Sequence, residues 1–148
     1  MSDTIASILR KKGGGIWSIA PHASVYDAIA MMADKRVGSL LVMVGSQLVG
    51  IITERDYARK VILQGRSSKD TPVEEIMTRD VATVTPDHTI DDCMRIITQL
   101  RVRHLPVVCD NEVIGIISIG DLVNSIISAQ ADTIEHLHTY IHGAAMVK

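Results

Sequence analysis

Apolar and polar positions follow one pattern twice along this chain, 65 residues apart. Each copy opens with a short apolar run, at 16–19 or 81–84, that closes at Pro21 or Pro86. A helical spacing follows. Val25, Ile29 and Met32 in the first copy, and Ile90, Met94 and Ile97 in the second, fall on one helix face. Ser24 with Asp27, and Thr89 with Asp92, precede these faces with capping-box spacing. Two β-rich runs come next, 40–44 and 48–53 around Gly45-Ser46-Gln47, then 105–109 and 113–118 around Asp110-Asn111-Glu112. A further helix is expected after Thr53 or Ser118. Each copy therefore predicts a β-α-β-β-α unit.

Residues 16–57 align on 81–122 without a gap, with ten identities. Among them are Pro21/Pro86, Asp27/Asp92, Leu40/Leu105, Val42/Val107, Gly50-Ile51-Ile52/Gly115-Ile116-Ile117 and Asp56/Asp121. Two copies are too few for a solenoid, so the expectation is a pair of units burying apolar faces against each other, with clefts in twos. Residues 1–15 read as a short helix stopped by Gly13-Gly14-Gly15 and 16–64 as the first repeat. Residues 65–80 form a linker and lead-in helix, with Thr71 as N-cap and Pro72 at the first helical position. Residues 81–128 are the second repeat, and 129–148 extend a last helix that runs from Asp121 to about His142. Ile127, Ile134 and Ile141 recur every seven residues along it, with Val123 and Leu137 at complementary positions. That stripe suits either a contact between two chains or packing on the domain.

Length and composition fit one compact α/β (α+β) domain of two halves. The chain has 148 residues, 47% of them apolar, and its core is aliphatic because Phe is absent. A net charge of −2 argues against a nucleic-acid or polybasic membrane surface. No apolar run is long enough to span a bilayer, and the first residues do not read as a signal peptide. Cys93 and Cys109 lack Cys-x-x-Cys spacing, which points to a reducing cytoplasm.

The chemistry lies in a duplicated Gly-aliphatic-aliphatic-Thr/Ser-x-x-Asp stretch, residues 50–56 and 115–121. One reading is local: Thr53 and Ser118 cap helices, and the acid three residues on complements the helix dipole. The other is functional. A strand running into a helix start presents free N–H groups suited to phosphate, and a carboxylate beside it can accept both ribose hydroxyls. Both readings use the same residues.

By these residues the chain resembles the tandem cystathionine-β-synthase (CBS) domain proteins, whose pair of repeats is called a Bateman module. The resemblance rests on Trp17-Ser18-Ile19-Ala20-Pro21, residues 37–42, Arg103-His104-Leu105-Pro106-Val107, both Gly-to-Asp stretches and Glu75-Ile76-Met77-Thr78. It implies two β-α-β-β-α repeats about a pseudo-twofold axis. It also implies an adenine-nucleotide ligand, AMP, ADP, ATP or NAD(H), with S-adenosylmethionine as an alternative. Asp56 and Asp121 match the acids that hold the ribose, and Thr53 and Ser118 the hydroxyls near ribose or phosphate. Ser18 and Thr83 sit on the first strand, whose backbone would read adenine. Ser39 and His104 are repeat equivalents, and Arg103 beside His104 would meet phosphate. Arg55 aligns with Gly120, so the two clefts should differ, with more phosphate-binding charge coming from the second repeat.

Remaining signals are weaker. His138 and His142 are four apart on a helix, with His136 nearby, but no acid or cysteine completes a metal set. Trp17 can stack on adenine, although a single Trp in an aliphatic protein is expected in the core. Pro106 removes a ladder donor from its strand and marks an edge or bulge. No nucleophile-base order suggests catalysis. The resulting expectation is a non-enzymatic regulatory module that forms a homodimer, binds an adenine nucleotide and signals to an unidentified protein. A constitutive dimerising scaffold with empty clefts is the rival.

Overall fold

The computed structural model describes residues 4–13, 15–131 and 134. Helix α1 (Ile5–Lys12) ends at Gly13, whose N–H donates to Leu9 O at 3.2 Å and whose φ of 78° then turns the chain out of the helix. Strand β1 (Ser18–Ile19) leads to helix α2 (Val25–Lys35) and the hairpin β2 (Ser39–Val44) and β3 (Gln47–Thr53). Helix α3 (Glu54–Tyr57) runs straight into a π-helical turn, Ala58–Ile62. The second repeat holds helix α4 (Ile90–Leu100), the hairpin β4 (His104–Cys109) and β5 (Glu112–Ser118), and a final helix α5, described over 119–131.

The two hairpins and the helices before them repeat closely in space. Ser39 pairs with Thr53 and His104 with Ser118. Both hairpins shift register at the same place, between Val42 and Met43 and between Val107 and Val108. Helices α2 and α4 both end on an arginine in the left-handed region, Arg36 at φ 57° and Arg101 at φ 56°. The polar turns are tighter than expected. Val44 pairs with Gln47 and Cys109 with Glu112, leaving two-residue loops, and Asp110 and Asn111 both take positive φ as a primed hairpin turn requires.

Three expectations need correction. The first strand of the second repeat, expected at 81–84, is a single bridge, Val84 to Val107. In the first repeat the Leu41 N–H donates to Trp17 O at 3.1 Å and extends the β1–β2 ladder. Pro106 stands at the equivalent position and has no N–H to give, so Thr83 lies outside any strand. The lead-in helix at Thr71 is one 3-10 turn, Val73–Glu75. The Thr71 hydroxyl donates to Ser67 O at 2.7 Å and does not cap that turn. Trp17 is no core residue: it is 40% exposed, with Lys35 Nζ 4.5 Å from its ring centre.

The core is also divided. Val25, Met32, Leu40, Val42, Ile52 and Val61 pack in one cluster with Val73 and Ile76. Ile90, Cys93, Ile97, Leu105, Val107, Ile117 and Leu122 pack in another, together with Ile5 and Ile8 of α1. Each repeat thus fills its own interior, and α1 completes the second one. Burial raises the Cys93 thiol to about 11, so it behaves as a small apolar side chain. Among the described residues, no helix is long and apolar enough to cross a membrane.

Candidate functional site

Both Gly-to-Asp stretches form capping units. The Asp56 N–H donates to Thr53 Oγ1 at 3.1 Å, and Asp56 Oδ2 accepts from the Thr53 N–H at 3.0 Å and from its hydroxyl at 3.1 Å. In the second copy the Asp121 N–H donates to Ser118 Oγ at 3.1 Å and Oδ2 accepts from the Ser118 N–H at 2.8 Å. A second pair of bonds anchors each helix start: the Glu54 N–H donates to Gly38 O at 3.1 Å, and the Ile119 N–H to Arg103 O at 2.8 Å. The carboxylates are therefore fixed by local geometry before any ligand arrives.

A lysine sits on each acid, and the two differ in origin. Lys60, on the π turn, lies 3.2 Å from Asp56 Oδ1 and donates to Ile76 O at 2.8 Å. Lys12 comes from α1. Its ammonium donates to Asp121 Oδ2 at 2.9 Å and to Ile116 O at 2.8 Å. Burial alone would raise the Asp121 carboxyl, but the Ser118 N–H and Lys12 outweigh it and hold it below the ordinary range.

The surroundings of the two acids are unequal. Asp56 lines a cleft of about 750 Å³, and Asp121 one of about 240 Å³. Small-molecule sites run from roughly 300 to 1,000 Å³, so only the first has room for a nucleotide. The first cleft is built from both repeats. Thr53, Glu54, Arg55, Asp56, Arg59 and Lys60 come from one side, and Thr78, Asp80, Val81 and Ala82 with Arg101, Arg103 and His104 from the other. Arg55 Nη1 crosses the junction to donate to Arg101 O at 3.2 Å. The smaller cleft is bounded by Ile8, Lys11 and Lys12 of α1 and by Asp121, Asn124, Ser125 and Ser128.

Of the residues singled out in the sequence, Thr53, Arg55, Asp56, Arg103 and His104 line one cleft. The basic pair of the second repeat thus faces the acid of the first, and Arg55, Arg59 and Lys60 add first-repeat charge that the sequence reading did not assign to this cleft. Ser39 is buried beneath it, Ser18 lies on β1, and Thr83 is exposed beside the lining residue Ala82. Asp121 lines the other cleft, and Ser118 caps the helix that carries it without lining either cleft. His104 is held below its usual value, first by burial, then by Lys12 and Arg103, with Asp121 opposing. Arg59, Lys60, Thr78, Asp80, Ala82 and Lys12 were missed. The identity of Arg36 with Arg101 was the one available signal for the Arg101 loop. Among the described residues no cluster of His, Cys, Asp and Glu could hold a metal ion, and His136, His138, Ile141 and His142 lie outside them.

A fold of two β-α-β-β-α units with paired acid-capped clefts defines a CBS pair. The CBS domain family matches residues 6–62 and 73–128, and the chain belongs to that family. It is 42% identical to the mitochondrial CBS domain-containing protein CBSX3 of Arabidopsis thaliana, over 96% of this chain and 73% of that one. Among solved structures, a putative signal-transduction protein with CBS domains from Burkholderia ambifaria superposes with a TM-score of 0.83 at 52% identity. The match covers 86% of this chain and 96% of that one. A CBS domain protein from Pyrobaculum aerophilum, complexed with AMP, shares the fold at a TM-score of 0.72 and 22% identity, over 80% of this chain and 88% of that one.

Proposed function

We propose that this CBS pair is a regulatory module that binds an adenine nucleotide in the cleft between Asp56 and Arg103-His104. The observation that carries this reading is the meeting of a fixed carboxylate and a cluster of cations in one cleft of about 750 Å³. In this reading Asp56 accepts the ribose diol, the Thr53 hydroxyl at the start of α3 lies near ribose or phosphate, and Arg103 forks onto phosphate. The backbone at 80–82, which lines the same cleft, reads adenine in this reading. The AMP bound by the Pyrobaculum aerophilum protein is in keeping with this ligand class.

The module acts as a homodimer in this reading. Tyr26, Ile62, Leu63, Leu100, Val123 and Ile127 are large apolar side chains left 39–75% exposed, and a contact between two chains would cover such surface. A stable dimer buries about 1,200–2,000 Å² in total. Ligand binding shifts the pair between arrangements only as far as it prefers one of them, and a regulated protein reads the difference. Cys93 and Cys109 are both free thiols, in keeping with a reducing, cytoplasmic-type compartment. The rival, a scaffold with empty clefts, draws on the capping bonds and lysines that already engage both acids. Native mass spectrometry of freshly purified protein separates them. A dimer carrying nucleotide mass is expected, exchangeable for added AMP, ADP, NAD or S-adenosylmethionine according to preference. A ligand-free protein that takes up none of these at millimolar concentration leaves the scaffold.

A further inference from the structure

The two clefts of this chain are covered by different elements. Over the first repeat the cover is residues 76–78, following the 3-10 turn. Met77 lies against Gly50, and Thr78 bridges to Ile51 with bonds of 3.0 and 2.9 Å. Over the second repeat the cover is α1. Its start is tied down by a bridge from Thr4 to Thr89 and by N–H donation from Ile5 to His88 O at 3.0 Å and from Ala6 to Pro86 O at 3.1 Å. Ile5 is fully buried, and Leu9 lies against Gly115 as Met77 lies against Gly50. The last turn of α1 then delivers Lys12 onto Asp121, in a space of about 240 Å³ against about 750 Å³ for the first cleft.

We propose that Lys12 is a built-in occupant of the second cleft, holding the Asp121 carboxylate where a second nucleotide's ribose would sit and so limiting each chain to one nucleotide. The inference rests on the reading of Asp56 as a ribose acceptor and extends it to Asp121. Lys60 on Asp56 is a different case. It belongs to the same helical segment as its acid, engages Oδ1 at 3.2 Å, is 46% exposed, and leaves a cleft of nucleotide size around it. Lys12 engages Oδ2, the oxygen that also takes the Ser118 N–H, and brings the body of α1 with it. A nucleotide entering here must break two charge-assisted bonds of a lysine and displace the end of a helix. A single such bond changes affinity by roughly ten- to a hundredfold. The second cleft has fewer cations of its own: Arg55 aligns with Gly120, Arg59 with Asn124, Lys60 with Ser125 and Arg103 with Gly38, and Lys11 and Lys12 both arrive on α1.

Equilibrium dialysis with AMP tests this by counting sites on the intact chain. Wild type is expected to bind one AMP per chain. Lys12→Ala removes the ammonium together with its stem and keeps helix propensity, and Lys12→Gln loses the charge on a shorter polar side chain; each is expected to bind two. The added site should tighten at least tenfold over any second binding in wild type, and Asp121→Asn in the same chain should remove it. The retained first site, lost in Asp56→Asn, shows that each variant is folded. One AMP per chain in both Lys12 variants, with the Asp56-dependent site intact, overturns the role of Lys12 while the reading of the first cleft stands. Two sites in wild type also overturn it. No AMP bound by any variant overturns both.

Discussion

Asp56 and Arg103 come from different repeats and line the same cleft. Neither repeat alone could assemble that cleft, so the pair is the functional unit. Arg103→Ala should lower affinity for AMP by about ten- to a hundredfold, the range for a hydrogen bond to a charged group. Affinity for uncharged adenosine should change little, and added salt should narrow the gap. Titration of both ligands into both proteins checks this. Equal losses would make Arg103 a wall of the cleft, not a phosphate contact.

Gly50 and Gly115 are repeat equivalents that should not tolerate a methyl group equally. A Cβ on Gly50 would stand 2.6 Å from Met77 Sδ and 2.9 Å from Thr78 O, and the latter is backbone fixed by its bridge to Ile51. For a Cβ on Gly115 the three nearest atoms all belong to the Leu9 side chain, with Cδ2 at 2.6 Å, the end of a side chain that can turn aside. Gly50→Ala is therefore expected to cost about 1–3 kcal/mol as an overpacked site, and Gly115→Ala less. Urea unfolding of the two variants gives the comparison, and an equal loss would count against the rigidity assigned to residues 76–78.

His104 gives the protein a pH dependence of known sign. Burial, Lys12 and Arg103 depress its pKa, against the opposing pull of Asp121. The folded state therefore binds its proton less readily than the unfolded chain, whose histidines titrate near 6.5. This group's contribution to stability is present above about pH 6.5 and is lost as pH falls from there toward the folded value. His104→Gln should thus lose less thermal stability than wild type between about pH 7.5 and 5.5. Bound AMP, by placing phosphate near the ring, should raise the His104 pKa. An NMR titration of the ring proton reads both effects, and a value at or above 6.5 in the free protein would reverse the prediction.

The homodimer is checked by light scattering at micromolar concentration. A dimer mass is expected, and substituting the exposed Leu63 or Ile127 with a charged residue should lower its fraction if that helix surface carries the contact. A clean monomer mass for the wild type would remove the dimer from the account.

Local grammar made much of the fold legible. The 65-residue register, the capping units at Thr53-Asp56, Thr89-Asp92 and Ser118-Asp121, and both hairpins follow from short-range spacing that the structure reproduces. The misread places are those where a competing partner decided the outcome. Thr71 had the right chemistry for an N-cap, but Ser67 O took its hydroxyl. Segment 81–84 had the apolar run of a strand but lost its ladder to Pro106, which itself stands on an edge strand beside a bulge as expected. In the site, each motif residue could be named, but not which acid shares a cleft with which base. That pairing depends on how one repeat docks on the other, and no short-range spacing encodes it. Lys12 was hidden for the same reason: α1 lies outside the repeated stretch, and nothing in its sequence announces that it completes the second core.

The central claim, that Asp56 holds a nucleotide's ribose in the first cleft, is tested most directly by calorimetric titration of AMP into Asp56→Asn beside wild type. Asparagine can still accept the Thr53 N–H through its carbonyl, so the start of α3 survives, and the lost pair with the 46% exposed Lys60 should cost at most about 1 kcal/mol of stability. The ribose, however, loses a charged acceptor. The account predicts AMP affinity lowered by about ten- to a hundredfold with the melting temperature nearly unchanged. Unchanged affinity in Asp56→Asn would contradict it and return the motif to helix capping alone.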